Sequence, residues 1–161
     1  MPSEIHAVVD PAAGRVEART ASGQPISLDA DPPHGADSAA SPMEALLAAL
    51  AGCAAMDVCA ILRKKRQSAA SYALRVTGAQ AEVHPKVFSD IVVEHVVVGA
   101  VEPEPLRRSI ELSATRYCPV NAMLSAVARI EHRYELTDES GAVHRAVVAI
   151  VGPDRRIEVV R

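Results

Sequence analysis

The alternation of apolar and polar positions predicts short strands near both ends of the chain. Early β-like runs are separated by turn residues such as Asp10-Pro11 and Ser22-Gly23, and a loop rich in proline, glycine and serine spans residues 31–41. Turns are also predicted at His84-Pro85 and over residues 138–141. The predicted strands are residues 5–9, 15–20, 26–29, 72–81, 87–99, 130–136, 143–151 and 157–160.

Between these strands, an apolar segment predicts one long helix. Ser41 as N-cap, Pro42 at the first helical position and Glu44 two residues later form a capping box, and the helix is expected to run to about Gln67. Its apolar residues occupy nearly every face and are mostly alanine and glycine. We therefore expect a central helix that other backbones approach closely all round.

A second helical segment is predicted to carry a break. It opens at residues 102–105 and is interrupted at Cys118-Pro119, because proline cannot continue a helix but can begin a new one, here to about residue 128. Strands around two helical segments, without β-α-β alternation, are typical of an α+β fold with a largely antiparallel sheet. The length of 161 residues predicts a single domain over residues 1–161.

Composition excludes several classes of partner. The net charge of -3 mixes both signs along the chain, so we expect no nucleic acid and no membrane surface as partner. Residues 45–62 are apolar enough to suggest a membrane span. Asp57 near the middle and the cationic residues 63–66 oppose this interpretation, so we expect a buried helix of a soluble protein. Glu4 near the start, with no cationic and apolar leader, predicts a cytoplasmic protein.

Three widely spaced cysteines form no even disulfide framework and have no zinc-ligand spacing, so we expect neither a metal nor a cofactor. Thiol chemistry needs electropositive surroundings. By that argument Cys118 is the better placed, at a helix N-terminus near Arg116, whereas Cys53 lies in mid-helix. Cys53 taken alone is best explained as a small buried apolar residue. Cys59 is rotated away from Cys53 and is expected to pack in the core.

Two segments together resemble the OsmC/Ohr family, in particular a branch with a PMELLLAALGGC-like pattern. They are SPMEALLAALAGCAAMDVCAILRKKRQ at residues 41–67 and the stretch 84–124, which ends RYCPVNAML. The resemblance implies an intertwined homodimer of α+β subunits, with the sheet wrapped around the long helix and the second, kinked helix. It also implies reduction of organic hydroperoxides by a thiol or dithiol, with Cys53 as peroxidatic nucleophile and Cys118 as resolving thiol that forms a disulfide with it.

The resemblance further implies an arginine that activates Cys53 and comes from the N-terminal strands. Arg15 is our choice, with Arg19 as the alternative. Such an arginine is expected because a thiolate is stabilised by a nearby positive charge.

Two carboxylates are candidates for a catalytic role. Related hydroperoxidases carry glutamate directly after the proline, where this chain has Met43. Glu44 is on the helix face opposite Cys53, so capping is favoured over catalysis for it. Asp57 lies one turn after Cys53 and either positions the arginine, is a structurally paired carboxylate or lies at the dimer contact. These departures keep a second function open, a non-catalytic dimeric module that binds a small apolar or thiol-reactive ligand.

Overall fold

The structure, a computed structural model, describes residues 3–153 and 156–160. By internal contacts the chain separates into an N-terminal unit, residues 1–46, and a C-terminal unit, residues 47–161. The expectation of one domain over the whole chain stays a prediction. The observed elements confirm the order of strands and helices that the sequence patterns predict, with boundaries that shift by a few residues.

The N-terminal unit contains a small antiparallel sheet and the loop that follows it. Its strands, in spatial order, are β1 (Ile5–Val9), β2 (Val16–Thr20) and β3 (Pro25–Leu28). The loop after β3 is held by Asp29, whose buried carboxylate accepts hydrogen bonds from the backbone of Ala36 and from the backbone and hydroxyl of Ser38. These bonds, chiefly those from Ser38, lower the pKa of Asp29 to about 2.

The C-terminal unit is built on a five-stranded sheet in the order β4-β5-β6-β7-β8. The strands are β4 (Ser68–Gln80), β5 (Phe88–Ala100), β6 (Arg129–Thr137), β7 (Val143–Gly152) and β8 (Arg156–Val159). All neighbouring pairs are antiparallel except β5 and β6, which run parallel. The long helical connection between β5 and β6 makes the parallel pair possible, since parallel strands require a crossover. The predicted α+β class with a largely antiparallel sheet is therefore confirmed.

Helices cover one face of this sheet. They are α1 (Pro42–Lys64), α2 (Pro103–Leu112) and α3 (Pro119–Leu124), with a π-helical turn at Ser113–Tyr117 between α2 and α3. Val58 and Leu62 of α1 join Leu106 and Ile110 of α2 in the main buried cluster, together with apolar residues from β5, β6 and β7. The predicted break at Cys118-Pro119 is confirmed. The π-helical turn was not predicted, and α3 ends four residues earlier than expected because residues 125–127 form turns.

The expectation that α1 is surrounded on all sides is wrong for the single chain. Its fully buried residues are Leu50, Ala54, Val58 and Leu62, which recur every fourth position and form one stripe. The opposite side is exposed, with Met56 at 75% of its full accessibility. By length and composition alone, α1 is also apolar enough to cross a membrane. Its alanine-rich composition predicts close approach by another surface without indicating which surface that is.

Candidate active site

Cys53 and Cys118 meet in the C-terminal unit although 65 positions separate them in sequence. Cys53 projects from α1 and is partly exposed, whereas Cys118 lies between the π-helical turn and α3 and is buried. The Cys53 and Cys118 Sγ atoms are 2.6 Å apart, closer than two sulfur atoms in ordinary van der Waals contact. This separation is close to the length of a disulfide bond, about 2.05 Å. The two thiols are therefore placed to form a bond with little movement of the backbone.

The π-helical turn determines where Cys118 points. Its widened hydrogen bond runs from the Cys118 backbone N–H to the Ser113 carbonyl, at 3.0 Å. Cys118 then adopts an extended backbone and serves as N-cap of α3, its sulfur accepting a hydrogen bond from the Asn121 backbone N–H at 3.3 Å. Pro119 occupies the first helical position, where its missing N–H has no cost. Such π-helical turns occur frequently at functional sites.

The electrostatics of Cys118 correct the ranking made from helix termini. Burial, followed by the adjacent Cys53 thiol, raises the pKa of Cys118 to about 12, and the Asn121 N–H only partly opposes this. The expectation that the helix N-terminus favours the thiolate form of Cys118 is thus wrong. Arg116 is exposed and its guanidinium carbon stacks 5.8 Å from the centre of the Tyr117 ring. Cys118 is therefore protonated at neutral pH.

Asp57 is the third polar group at this site. Its carboxylate, one helical turn after Cys53, lies with both sulfurs in a set whose atoms are all within 4.8 Å of one another. It accepts a hydrogen bond at 3.0 Å from the buried hydroxyl of Ser113, which ties α1 to the π-helical turn. Its charge also contributes to the raised pKa of Cys118. The hydrogen bond with Ser113 makes Asp57 a structurally paired carboxylate, which was one of the interpretations of the sequence. A role for Asp57 in positioning an arginine stays a prediction.

Two thiols and one carboxylate are groups that can bind zinc, so their spacing is compared with that of a zinc site. Two thiolates that bind one tetrahedral zinc ion at 2.3 Å lie about 3.8 Å apart. The Cys53 and Cys118 sulfurs are considerably closer than that. Their spacing therefore favours sulfur–sulfur bond formation over metal binding.

The remaining predicted site residues lie in the N-terminal unit. The capping box is confirmed, because the Glu44 carboxylate accepts from the Ser41 backbone N–H at 2.8 Å and the Ser41 hydroxyl accepts from Glu44 N–H at 3.2 Å. These bonds lower the pKa of Glu44. Arg15 forms an ion pair with Glu17 at 2.8 Å, and Arg19 donates to a backbone carbonyl within the same unit. A catalytic role for Glu44, Arg15 or Arg19 stays a prediction.

Cys59 is exposed, so its predicted place in the core is wrong. It lies on α1 outside the buried stripe and borders a shallow groove with Arg63 and Tyr72. The groove also includes Leu62, Gln67, Ser68 and Ala69.

Behind Cys118 lies a row of hydrogen-bonded polar side chains that sequence analysis missed. We call Tyr72, His95, His132 and Asn121 the polar array. The Tyr72 hydroxyl lies 2.7 Å from His95 Nδ1, His95 Nε2 lies 3.4 Å from His132 Nδ1, and His132 Nε2 lies 2.9 Å from Asn121 Oδ1. His95, His132 and Asn121 are buried. The available signal was the presence of two histidines on β5 and β6 at positions that strand alternation assigns to the buried face.

Burial keeps the polar array neutral. It lowers the pKa of His132 to about 4 and that of His95 well below its ordinary value, with His132 adding to the second effect. Burial also raises the pKa of Tyr72. Both imidazoles are therefore uncharged at neutral pH, each with one donor and one acceptor nitrogen.

Comparison with known proteins gives a consistent result. The family model described as OsmC-like protein matches residues 35–133. Protein YhfA of Escherichia coli K12 is 36% identical over 118 residues, which cover 73% of this chain and 86% of YhfA. A hypothetical protein from Aquifex aeolicus VF5 superposes with a TM-score of 0.76 at 29% identity, over 86% of this chain and 98% of that one. An organic hydroperoxide resistance protein from Legionella pneumophila shares the fold, with a TM-score of 0.62 at 13% identity over 82% and 95% of the two chains.

Proposed function

Because this chain belongs to the OsmC-like family, we propose that it is a thiol-dependent peroxidase that reduces organic hydroperoxides through Cys53 and Cys118. The observation that carries the proposal is the 2.6 Å distance between the Cys118 and Cys53 sulfurs. A protein of the same fold is named an organic hydroperoxide resistance protein, which supports this class of substrate.

In the first step, the Cys53 thiolate attacks one oxygen of the O–O bond. A sulfur–oxygen bond forms while the O–O bond breaks, so that the peroxide is reduced by two electrons and leaves as an alcohol after taking up a proton. Cys53 becomes a sulfenic acid. The assignment of this step to Cys53 is supported by its partial exposure, whereas Cys118 is buried and has a raised pKa. Arg15, or Arg19 in its place, is proposed to stabilise the thiolate.

In the second step, the Cys118 sulfur attacks the oxidised sulfur of Cys53. The S–S bond forms, the S–O bond breaks, and the hydroxyl leaves as water with the proton that Cys118 releases. A disulfide at this point protects Cys53 from further oxidation. The short distance between the sulfurs supports this order, because the attacking thiol already lies beside its target.

An external thiol or dithiol then returns the pair to the reduced state by exchange, and no cofactor takes part. We propose a cytoplasmic location on the same grounds, since the cytoplasm supplies such reductants and keeps resting thiols reduced.

Oxidation by one equivalent of cumene hydroperoxide tests the proposal. We expect the reduced protein to lose two thiols and to yield a Cys53–Cys118 disulfide in peptide mass spectrometry without reduction, while Cys59 stays reduced. Full retention of all three thiols, under conditions in which a known thiol peroxidase reacts, would refute the peroxidase and favour a non-catalytic ligand-binding module.

We also propose that a second copy of the chain covers the exposed side of α1. Met56 is largely exposed there, and a Cβ built at Gly52 meets no atom within 4 Å. Ala48 and Ala60 continue this side of the helix with further small residues. Small residues allow two helices to approach closely, and an exposed apolar strip of this length marks an interaction surface.

Gly52→Leu is expected to convert a dimer to a monomer, as measured by light scattering after size-exclusion chromatography. The fold of one chain tolerates the change, because the site is open and glycine costs a helix about 1 kcal/mol relative to alanine. Ala126→Leu, at an exposed alanine after α3, is the matched control and leaves the dimer intact. A monomeric unmodified protein, or one that binds lipid vesicles in place of a second copy, would contradict the proposal.

A further inference from the structure

We infer that the polar array of Tyr72, His95, His132 and Asn121 positions Cys118 for its attack on Cys53. The inference rests on the proposed function for the identity of the second reaction step. Its structural basis is independent, because the array ends on Asn121, whose backbone N–H donates to the Cys118 sulfur.

Asn121 holds the chain on both sides of Cys118. Its backbone N–H donates to the Cys118 sulfur at 3.3 Å, and its side-chain Nδ2 donates to the Ala114 carbonyl in the π-helical turn at 2.7 Å. The first bond fixes the sulfur relative to α3, and the second fixes the preceding turn relative to the same residue. The Cys118 sulfur and the turn before it are therefore both bonded to Asn121, whose side-chain amide is buried.

The orientation of that amide fixes every proton in the array. Because Asn121 Nδ2 donates to Ala114, Asn121 Oδ1 is an acceptor and His132 must carry its proton on Nε2. His132 Nδ1 then accepts from His95 Nε2–H, which leaves His95 Nδ1 to accept from the Tyr72 hydroxyl. All four side chains are satisfied in a single arrangement, running from Tyr72 to Asn121.

This arrangement positions groups and does not transfer protons. Two neutral imidazoles can pass a proton between them, but an amide cannot take up a proton at oxygen and release another from nitrogen under ordinary conditions. Proton transfer along the array therefore ends at Asn121 and does not reach Cys118. The array affects Cys118 only by orienting Asn121. Loss of one hydrogen bond in the array leaves a buried acceptor unsatisfied and allows the Asn121 amide to rotate.

The test separates positioning of Cys118 from the reactivity of Cys53. The probe is 5,5′-dithiobis(2-nitrobenzoic acid), used on the full chain with Cys59→Ser to remove the third thiol. The Cys53 thiolate cleaves the reagent, forms a mixed disulfide and releases one thionitrobenzoate. Cys118 then loses its proton to solvent and attacks Cys53, forming the Cys53–Cys118 disulfide and releasing a second thionitrobenzoate. Absorbance resolves the two releases as a fast and a slow phase.

We expect His132→Leu to slow the second release by about tenfold and Tyr72→Phe by about threefold, with the first release unchanged within about twofold. His132→Gln, whose amide nitrogen can donate in place of Nε2, regains most of the lost rate. Tyr134→Phe is the matched control, since Tyr134 is buried in the same unit and its hydroxyl has no side-chain hydrogen bond within the described residues.

An unchanged second release in Tyr72→Phe and in any folded His132→Leu protein overturns the inference, whatever the loss of stability. Tyr72→Phe alone decides the question where His132→Leu does not fold, because Tyr72 lies at the partly buried end of the array. The reagent contains no peroxide. A protein that fails to reduce hydroperoxide but shows the expected change in the second release refutes the proposed function and supports the positioning role.

Discussion

Cys53→Ser is expected to lower the second-order rate constant for cumene hydroperoxide by on the order of 10³-fold or more, because a serine hydroxyl is not a nucleophile toward the O–O bond at neutral pH. The measurement is peroxide consumption with a dithiol reductant in excess. Serine is close to cysteine in size and Cys53 is partly exposed, so the fold should be retained. The loss of peroxidase rate therefore measures the role of Cys53 in the reaction and not a loss of the fold.

Cys118→Ser is expected to give a different result from Cys53→Ser. Cys53 still reacts once with peroxide, so a sulfenic acid accumulates that dimedone traps and that excess peroxide oxidises to the sulfinic acid. Serine is a favoured N-cap, and its hydroxyl can accept the Asn121 N–H as the sulfur does, so α3 remains capped.

Cys59→Ser is the control for both replacements and leaves turnover unchanged, because Cys59 lies outside the cluster of Cys53, Asp57 and Cys118. Turnover that survives Cys53→Ser but fails in Cys118→Ser would reverse the two roles. That outcome would also show that the raised pKa of Cys118 does not decide which thiol attacks peroxide.

Local sequence patterns correctly predicted those elements of the fold that depend on neighbouring residues. The capping box at Ser41 and Glu44 and the break at Cys118-Pro119 are decided within a few positions, and both are present. The spacing of apolar residues likewise predicted the strands. The parallel pairing of β5 and β6 was not predicted, because pairing depends on how the connection between them folds back.

The candidate site was predictable only in its two thiols, and those came from a family resemblance. The electrostatic argument from sequence ranked Cys118 first, because it counted the helix N-terminus and could not count burial. Ser113 contacts Asp57 from 56 positions away, and no local pattern marks such a pair. The polar array could not be predicted for the same reason, since it joins β4, β5, β6 and α3 only after the sheet is assembled.

Acid is expected to destabilise the C-terminal unit well above the pH at which carboxylates are protonated. His132 has a pKa of about 4 in the folded chain and about 6.5 when unfolded, so between these values the unfolded chain binds more protons. Stability is therefore lost as pH falls from about 6.5 toward 4. His132 alone accounts for about 2 kcal/mol of unfolding free energy between pH 7 and pH 5, and the lowered pKa of His95 acts in the same direction.

Urea unfolding at pH 7 and pH 5, at one protein concentration, measures this loss. Tyrosine fluorescence is a suitable probe, because the chain has no tryptophan and its tyrosines, Tyr72, Tyr117 and Tyr134, all belong to the C-terminal unit. His132→Gln does not titrate at this position and should remove about 2 kcal/mol of the loss between the two pH values. Titrating groups that do not interact with His132 are common to both proteins and cancel in the comparison, whereas His95 loses the part of its lowered pKa that His132 causes. Equal losses in the two proteins would mean that His132 is protonated in the folded chain at pH 5, with its hydrogen bonds to Asn121 and His95 rearranged.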